Sequence, residues 1–215
     1  AGKPVVAVIT SMAQPLGTHI GNALEVKDAI DVLAGRTQGD LLEISLLLGS
    51  HMLVLAEKAK TLPEARAMLE NALSSGAGLR KLAEMIAAQG GDPRVVEDLS
   101  LLPQAAVKRV MRAETAGYLS AMDTTALGMA AQRMGAGRAK KSDMLDYSVG
   151  YVLHVRLEDE VMEDTPLATL YARNEAEAEE AEKAIRKALT IARKKPQAPK
   201  LWDAVVTAEG ITYNR

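Results

Sequence analysis

A mixed α/β fold is predicted for this chain of 215 residues, and three observations predict it. The chain opens on a continuous β-branched run, Val5-Val6-Ala7-Val8-Ile9. A series of helical patterns follows, and beyond about Arg112 short strand-like pieces take over. Apolar residues make up 48% of the chain and charged residues 25%, the composition of a folded globular protein. Phe is absent and Trp occurs once, so the core is to be built from Leu, Ile, Val, Ala and Met.

The opening run reads as a strand covered on both faces. A lone strand needs neighbours, and nothing before it supplies one. This strand is therefore expected to find a partner in this chain or in a second copy, and a missing N-terminal portion is expected. The loop Ser11–Gly17 carries Pro15 and Gly17, and a helix follows over Asn22–Leu33 with Val26, Ile30 and Leu33 on one stripe. Gly35 and Gly39 end it. The segment Leu41–Ala56 is apolar on nearly every side and so belongs inside a larger body. Thr61 and Glu64 form a capping box for the next helix, with Pro63 in its tolerated first turn and Gly76 as its stop. A further helix, Leu79–Gln89, ends at Gly90-Gly91.

Beyond the polar connection through Pro93 and Pro103, strands are predicted at Gly117–Met122, Val149–Val155 and Leu167–Tyr171. A helix, Thr125–Met134, interrupts them. The last helix is predicted over Glu175–Ala192, capped by Asn174 and Glu177. Its start is acidic and its end basic, each matching the helix dipole. Pro196 closes it, and an extended tail follows.

With 26 basic and 28 acidic residues the net charge is -2, which gives no global pull toward nucleic acid or an anionic membrane. The absence of cysteine excludes disulfides, zinc-thiolate sites and a cysteine nucleophile. No apolar run approaches the roughly 18 residues of a membrane span. No secretory signal opens the chain, so a cytoplasmic location is the expectation.

The stretches Ile9-Thr10-Ser11-Met12-Ala13-Gln14-Pro15-Leu16-Gly17 and Gly21-Asn22-Ala23-Leu24-Glu25-Val26-Lys27-Asp28-Ala29-Ile30 resemble a segment of the pyrimidine-nucleoside (thymidine) phosphorylase family. Further matches follow in that family's order: Leu48–Met52, Ala88–Asp92, Leu102–Ala105, Gly135–Arg138 and Leu145–Gly150. The resemblance covers almost the whole chain and corresponds to the family's C-terminal half.

What the resemblance implies can be stated part by part. Residues 1–111 are expected to be part of the α/β lobe. Residues 112–195 are expected to be a barrel-sandwich hybrid subdomain with a closing helix, and 196–215 a tail. The implied enzyme is a homodimer that performs reversible phosphorolysis of a pyrimidine nucleoside to free base and (deoxy)ribose 1-phosphate. That chemistry needs donors around phosphate and around the departing base, where negative charge develops. The family's Gly-rich phosphate loop and its Arg- and Lys-bearing base-binding stretch do not occur in these residues, so both are expected upstream of Ala1 and the chain alone is expected to be inactive. The resemblance also implies a monovalent cation, typically potassium, held by the carbonyls of Leu16 and His19 and the carboxylate of Asp28. Asp28 stands where the family has Glu, one methylene shorter. His19 replaces a small residue. From the residues alone, Asp28 reads as a solvated helix carboxylate, and only the resemblance sets the cation-ligand reading beside it.

Other readings stay open beside this one. His51 and His154, in apolar surroundings, read as packed or hydrogen-bonded core histidines, and the ring of His19 as packed or facing a cleft. Gly135–Arg138 reads as a helix end and tight turn rather than a dinucleotide motif. Residues 155–170 resemble half of a lipoyl or biotinyl hammerhead, with Glu158 and Asp164 where that pattern has glycines and no lysine in a Met-Lys setting. Both residues are expected to make their turns at some strain if a positive φ is required. A non-catalytic scaffold of the same fold is the second functional class, and a swinging-arm carrier a weaker third.

Overall fold

The computed structural model describes residues 2–197 and 199–214. In chain order its first elements are β1 (Ala7–Thr10), β2 (His19–Ile20), α1 (Asn22–Leu33), α2 (Asp40–Leu55), α3 (Leu62–Ser74), α4 (Ala77–Ala88), β3 (Val107–Arg112), β4 (Gly117–Met122) and α5 (Thr124–Ala131). They are followed by β5 (Gly150–Leu153), β6 (Glu160–Val161), β7 (Pro166–Ala172), α6 (Glu175–Ala188), β8 (Leu189–Ala192), β9 (Trp202–Thr207) and β10 (Gly210–Tyr213). The fold is mixed α/β, and the contacts divide it into two compact units. A helical unit gathers residues 2–11, 29–97 and 199–214, and a sandwich unit gathers 12–28 and 98–197.

In the helical unit, β1 pairs antiparallel with β9, Ala7 opposite Val206 and Ile9 opposite Ala204, and β10 completes a three-stranded sheet. The opening strand therefore has a partner within the chain. Burial on both faces is not observed: three of its four residues are exposed and only Val8 is half-buried. The tail also departs from expectation, since β9 and β10 form a hairpin rather than a plain extended segment. Helix α2 buries Leu42, Ile44, Leu46 and Ser50 yet leaves Leu48, Met52 and Leu55 exposed. The interior position expected for an all-apolar helix is thus realised on one side only. The core it joins is small: Val32, Leu42 and Leu46, flanked by Leu41, Leu69 and Leu73. At α3, Thr61 Oγ1 accepts from the Glu64 N–H at 3.3 Å, and the Glu64 carboxylate accepts from the Lys60 N–H at 2.9 Å. The reciprocal cap is present, shifted by one residue from the standard box.

The sandwich unit has two antiparallel sheets, ordered β2-β5-β7-β3 and β6-β4-β8. Both contribute to one core, including Met111, Leu119, Tyr151, Leu153, Val161, Leu167 and Leu170. No closed barrel forms among the described residues. Every residue of β5 is buried, which is why it reads as a continuous apolar run. Helix α6 adds Ala178, Ala181, Ile185 and Ala188 to the core. It is pinned to β3 through Glu182. Burial opposes ionisation of that carboxylate, but hydrogen bonds from Arg109 (2.6 Å) and Arg186 (2.8 Å) hold its pKa below the usual range.

Two boundaries differ from the sequence reading. The helix expected to reach Ala192 stops at Ala188, and Leu189-Thr190-Ile191-Ala192 becomes β8, paired with β4. Its β-branched residues favour the pleated conformation once a strand edge is available. Helix α5 passes into a wider turn over Gln132–Ala136 and is broken at Gly135, whose φ of 108° needs glycine. Glu158 and Asp164 take φ of 77° and 69°, so both turns do use the left-handed region without glycine.

Candidate cation loop

The loop between β1 and α1, from residue 12 on part of the sandwich unit, is held to the rest of that unit at almost every residue. Thr124 Oγ1 donates to the Met12 carbonyl at 3.1 Å, and the Leu157 N–H donates to Gln14 Oε1 at 3.0 Å. The Arg156 guanidinium donates to the carbonyls of Pro15 at 2.6 Å, Gly17 at 3.4 Å and Leu16 at 3.5 Å. The Leu153 N–H donates to the Thr18 carbonyl at 2.8 Å.

That last bond orients His19. With Thr18 opposite Leu153 at a hydrogen-bonding position, His19 opposite Val152 occupies the adjacent non-bonding position, so its carbonyl turns away from β5. β2 is the edge strand of its sheet, and no further strand lies on that side among the described residues.

The third predicted group, Asp28, lies in the second turn of α1 and is only 4% exposed. Its carboxylate accepts from the Thr18 N–H at 3.2 Å and stands 3.5 Å from His19 Nδ1. The imidazole also contacts Thr18 Oγ1 at 3.0 Å. Among the described residues no Lys or Arg pairs with Asp28. A solvated helix carboxylate is therefore not what the geometry contains: Asp28 is buried against the loop. The structure brings the side chains of His19 and Asp28 together and places Leu16 three residues before His19 on the same clamped loop, half-exposed at 39%.

Close backbone approach makes this arrangement possible. A Cβ on Gly150 would lie 2.1 Å from the Ile20 carbonyl oxygen, and one on Gly21 would lie 2.5 Å from that of Val149. Both glycines also have positive φ, 148° and 135°. At both positions a side chain would meet backbone, so glycine lets the loop cross β5 and turn into α1. The start of α1 is then fastened from two sides. Asn22 Nδ2 donates to the Ala136 carbonyl at 2.8 Å, and the Ala23 N–H donates to that of Tyr147 at 3.0 Å. A cleft of about 250 Å³ beside α1 is lined by Leu24, Lys27, Leu102, Gln104, Ser148 and Tyr171, among others. Four motif segments far apart in sequence, around residues 22, 103, 136 and 147, thus meet at one helix start.

Backbone carbonyls and a carboxylate are hard oxygen donors of low total charge, the kind that suits a monovalent cation. No cluster of three or more His, Asp or Glu side chains suited to a metal occurs among the described residues, so any cation here relies on the backbone. Sequence reasoning missed Arg156, Gln14 and Thr18. The bonds that tie them into the loop reach 10 to 143 residues along the chain, beyond any local pattern.

The remaining histidines take ordinary roles. His51 is half-buried, its buried Nε2 has no hydrogen-bond partner among the described residues, and burial lowers its pKa. His154 is exposed, contrary to the core reading. Its Nε2 contacts Thr169 Oγ1 at 2.7 Å, and partial desolvation of the ring, followed by the Lys108 charge, lowers its pKa. The turn over residues 162–165 contains no lysine, so the swinging-arm feature of a carrier is not there.

Residues 118–192 match the family model described as pyrimidine nucleoside phosphorylase C-terminal domain. The chain is 49% identical over 174 residues to a pyrimidine-nucleoside phosphorylase of Bacillus subtilis (strain 168), covering 81% of this chain and 40% of that protein. It is 48% identical over 174 residues to that of Geobacillus stearothermophilus, with the same coverage. It is 42% identical over 191 residues to that of Staphylococcus aureus (strain USA300), covering 89% and 44%. The chain belongs to the pyrimidine-nucleoside phosphorylase family and corresponds to its C-terminal portion. It spans about two fifths of the length of these relatives. No described helix is long and apolar enough to cross a membrane.

Proposed function

We propose that this chain serves as the C-terminal portion of an enzyme that phosphorolyses pyrimidine nucleosides, a pentosyl transfer. Phosphate oxygen forms a bond to the anomeric carbon as the bond from that carbon to the base nitrogen breaks, and the base leaves with the bonding pair. The observation that carries the reading is the 49% identity to a relative of that name over 81% of the chain. The identity extends well outside the 118–192 domain. A non-catalytic scaffold has no observation of its own in its favour.

Within that reading, the loop of residues 14–19 and Asp28 hold a monovalent cation, potassium in kind. The Leu16 and His19 carbonyls and the Asp28 carboxylate are its ligands. Two features of the chain support the fit: a buried carboxylate without a paired Lys or Arg among the described residues, and a His19 carbonyl turned away from its sheet. When bound, the cation supplies positive charge near an anionic substrate.

The 215 residues contain no Gly-rich phosphate loop and no paired Arg and Lys stretch for the base, so phosphate and nucleoside contacts are assigned to a complementary N-terminal polypeptide. The assay is release of uracil or thymine from uridine or thymidine in phosphate buffer. The chain alone is expected to give no turnover, and mixing with the N-terminal portion of a relative is expected to restore it. Turnover by the chain alone overturns this division of labour.

A further inference from the structure

We propose that Arg156 is the positioning residue of the candidate cation loop. In this role its guanidinium fixes residues 15 to 17 so that the Leu16 and His19 carbonyls face the Asp28 carboxylate. The inference rests on the cation reading above and deepens it with a residue outside the ligand set.

A guanidinium has five fixed N–H donors, no acceptor and a permanent charge. Other guanidinium groups of this chain reach a single carbonyl, as Arg80 does at Ser75 and Arg186 at Arg112. Arg156 addresses three successive backbone carbonyls 139 to 141 residues away. A surface ion pair constrains two flexible side chains, whereas a clamp on consecutive carbonyls constrains the backbone itself. The tight bond, 2.6 Å, goes to Pro15, while the contact to Leu16 is 3.5 Å. A carbonyl oxygen has two lone pairs, so Leu16 retains capacity for a second cation.

Arg156 is itself held. Its N–H donates to Asp159 Oδ2 at 2.7 Å, and the Asp159 N–H donates back to the Arg156 carbonyl at 3.1 Å. The turn closes through Glu158 at φ 77°, a conformation costly for a non-glycine residue. It is stitched to β4 by bonds from the Glu158 N–H to the Leu119 carbonyl and from the Leu119 N–H to the Asp159 carbonyl, 3.0 and 2.9 Å. The adjacent Leu157 N–H takes Gln14. The 118–192 domain thereby acts on a loop that lies outside it.

The test uses the 215-residue chain as wild type, Arg156→Gln and Arg156→Lys. Amide exchange is read by NMR, and thallous nitrate is titrated while the signals of residues 16–19 and 28 are followed. In Arg156→Gln, exchange at Thr18 and Leu157 is expected to accelerate by about tenfold while Leu127 and Leu170 stay unchanged. Thallous affinity is expected to fall by about tenfold, the scale of losing a group that orients ligands. Arg156→Lys, which keeps the charge without the fork, is expected to recover only a minor part of either. Unchanged exchange at Thr18, or equal acceleration at Leu127 and Leu170, overturns the proposal. If the Gln variant does not fold, the Lys variant is judged by the same criteria. Absence of any thallous-dependent shift in the wild type defeats the cation reading separately, because the exchange experiment still decides whether Arg156 clamps the loop.

Discussion

The helical unit and the sandwich unit solve the same burial problem to different degrees. The sandwich unit encloses a core to which both sheets, α5 and α6 contribute, with Leu119, Tyr151, Leu170 and Ile185 fully buried. The helical unit has a much smaller cluster around Val32, Leu42 and Leu46, while Leu48, Met52, Met68 and Met85 lie on its surface. Its three-stranded sheet exposes Ile9, Ile211 and Tyr213 as well. The difference teaches that apolar content and burial are separable. α2 is the most apolar helix described and shows large side chains to solvent, whereas polar α6 buries a narrow alanine and isoleucine stripe completely.

The comparison is most severely tested where the sandwich unit tolerates no added atom. Gly150→Ala forces a Cβ against the Ile20 carbonyl at a φ of 148°. The expected cost is about 3 kcal/mol or more, because backbone must move and the left-handed side of φ space is closed to alanine. The urea midpoint, read from exchange at Leu170, is the measurement. The His19–Asp28 contact should be lost with it, visible as faster exchange at Thr18. A variant as stable as wild type would mean that the loop does not cross β5 so closely.

A matched pair of truncations then sharpens the contrast between the units. Leu127, 1% exposed, packs in the larger core, and Leu127→Ala is expected to cost about 2–5 kcal/mol. Met52 is 68% exposed on α2, and Met52→Ala is expected to stay within about 0.5 kcal/mol. Denaturation of the two variants side by side decides it. Comparable losses would show that α2's outer face is covered in solution, for instance by a second copy, and dilution would then separate that case.

Much of this architecture was legible in the residues. Gly117–Met122 coincides with β4, Asn22–Leu33 with α1, and the Thr61 and Asn174 caps both form. These are local signals: period, cap and stop. What escaped is non-local. Val107–Arg112 mixes Lys108, Arg109 and Arg112 with its apolar residues, and it becomes β3 only because β7 offers an edge. Leu189–Ala192 continues a helical pattern until β4 claims it. The candidate site divides in the same way. Leu16, His19 and Asp28 came from motif resemblance, while the Arg156 clamp depends on contacts across about 140 residues that no window of sequence contains.

The smallest expected effect concerns the strain kept within the well-packed unit. Asp164 occupies the left-handed region at φ 69° in the turn between β6 and β7. An L-residue there costs about 1 kcal/mol relative to glycine, somewhat less for aspartate. Its side chain gives little in return: the contact to Arg112 is 3.7 Å with the carboxylate 80% exposed, a pairing of small worth. The bond from Arg112 to the Asp164 carbonyl, 2.8 Å, does not involve the side chain and survives substitution. Asp164→Gly loses the minor ion pair and adds freedom to the unfolded chain, yet relief of φ strain outweighs both. A net gain of about 0.5 kcal/mol is expected, read as a rise in urea midpoint with unchanged slope. Glu158 is not equivalent, since its turn also carries Arg156. Loss of stability in Asp164→Gly would show that the aspartate contributes to the turn through more than its backbone, and that the sandwich unit keeps less strain than its dihedrals indicate.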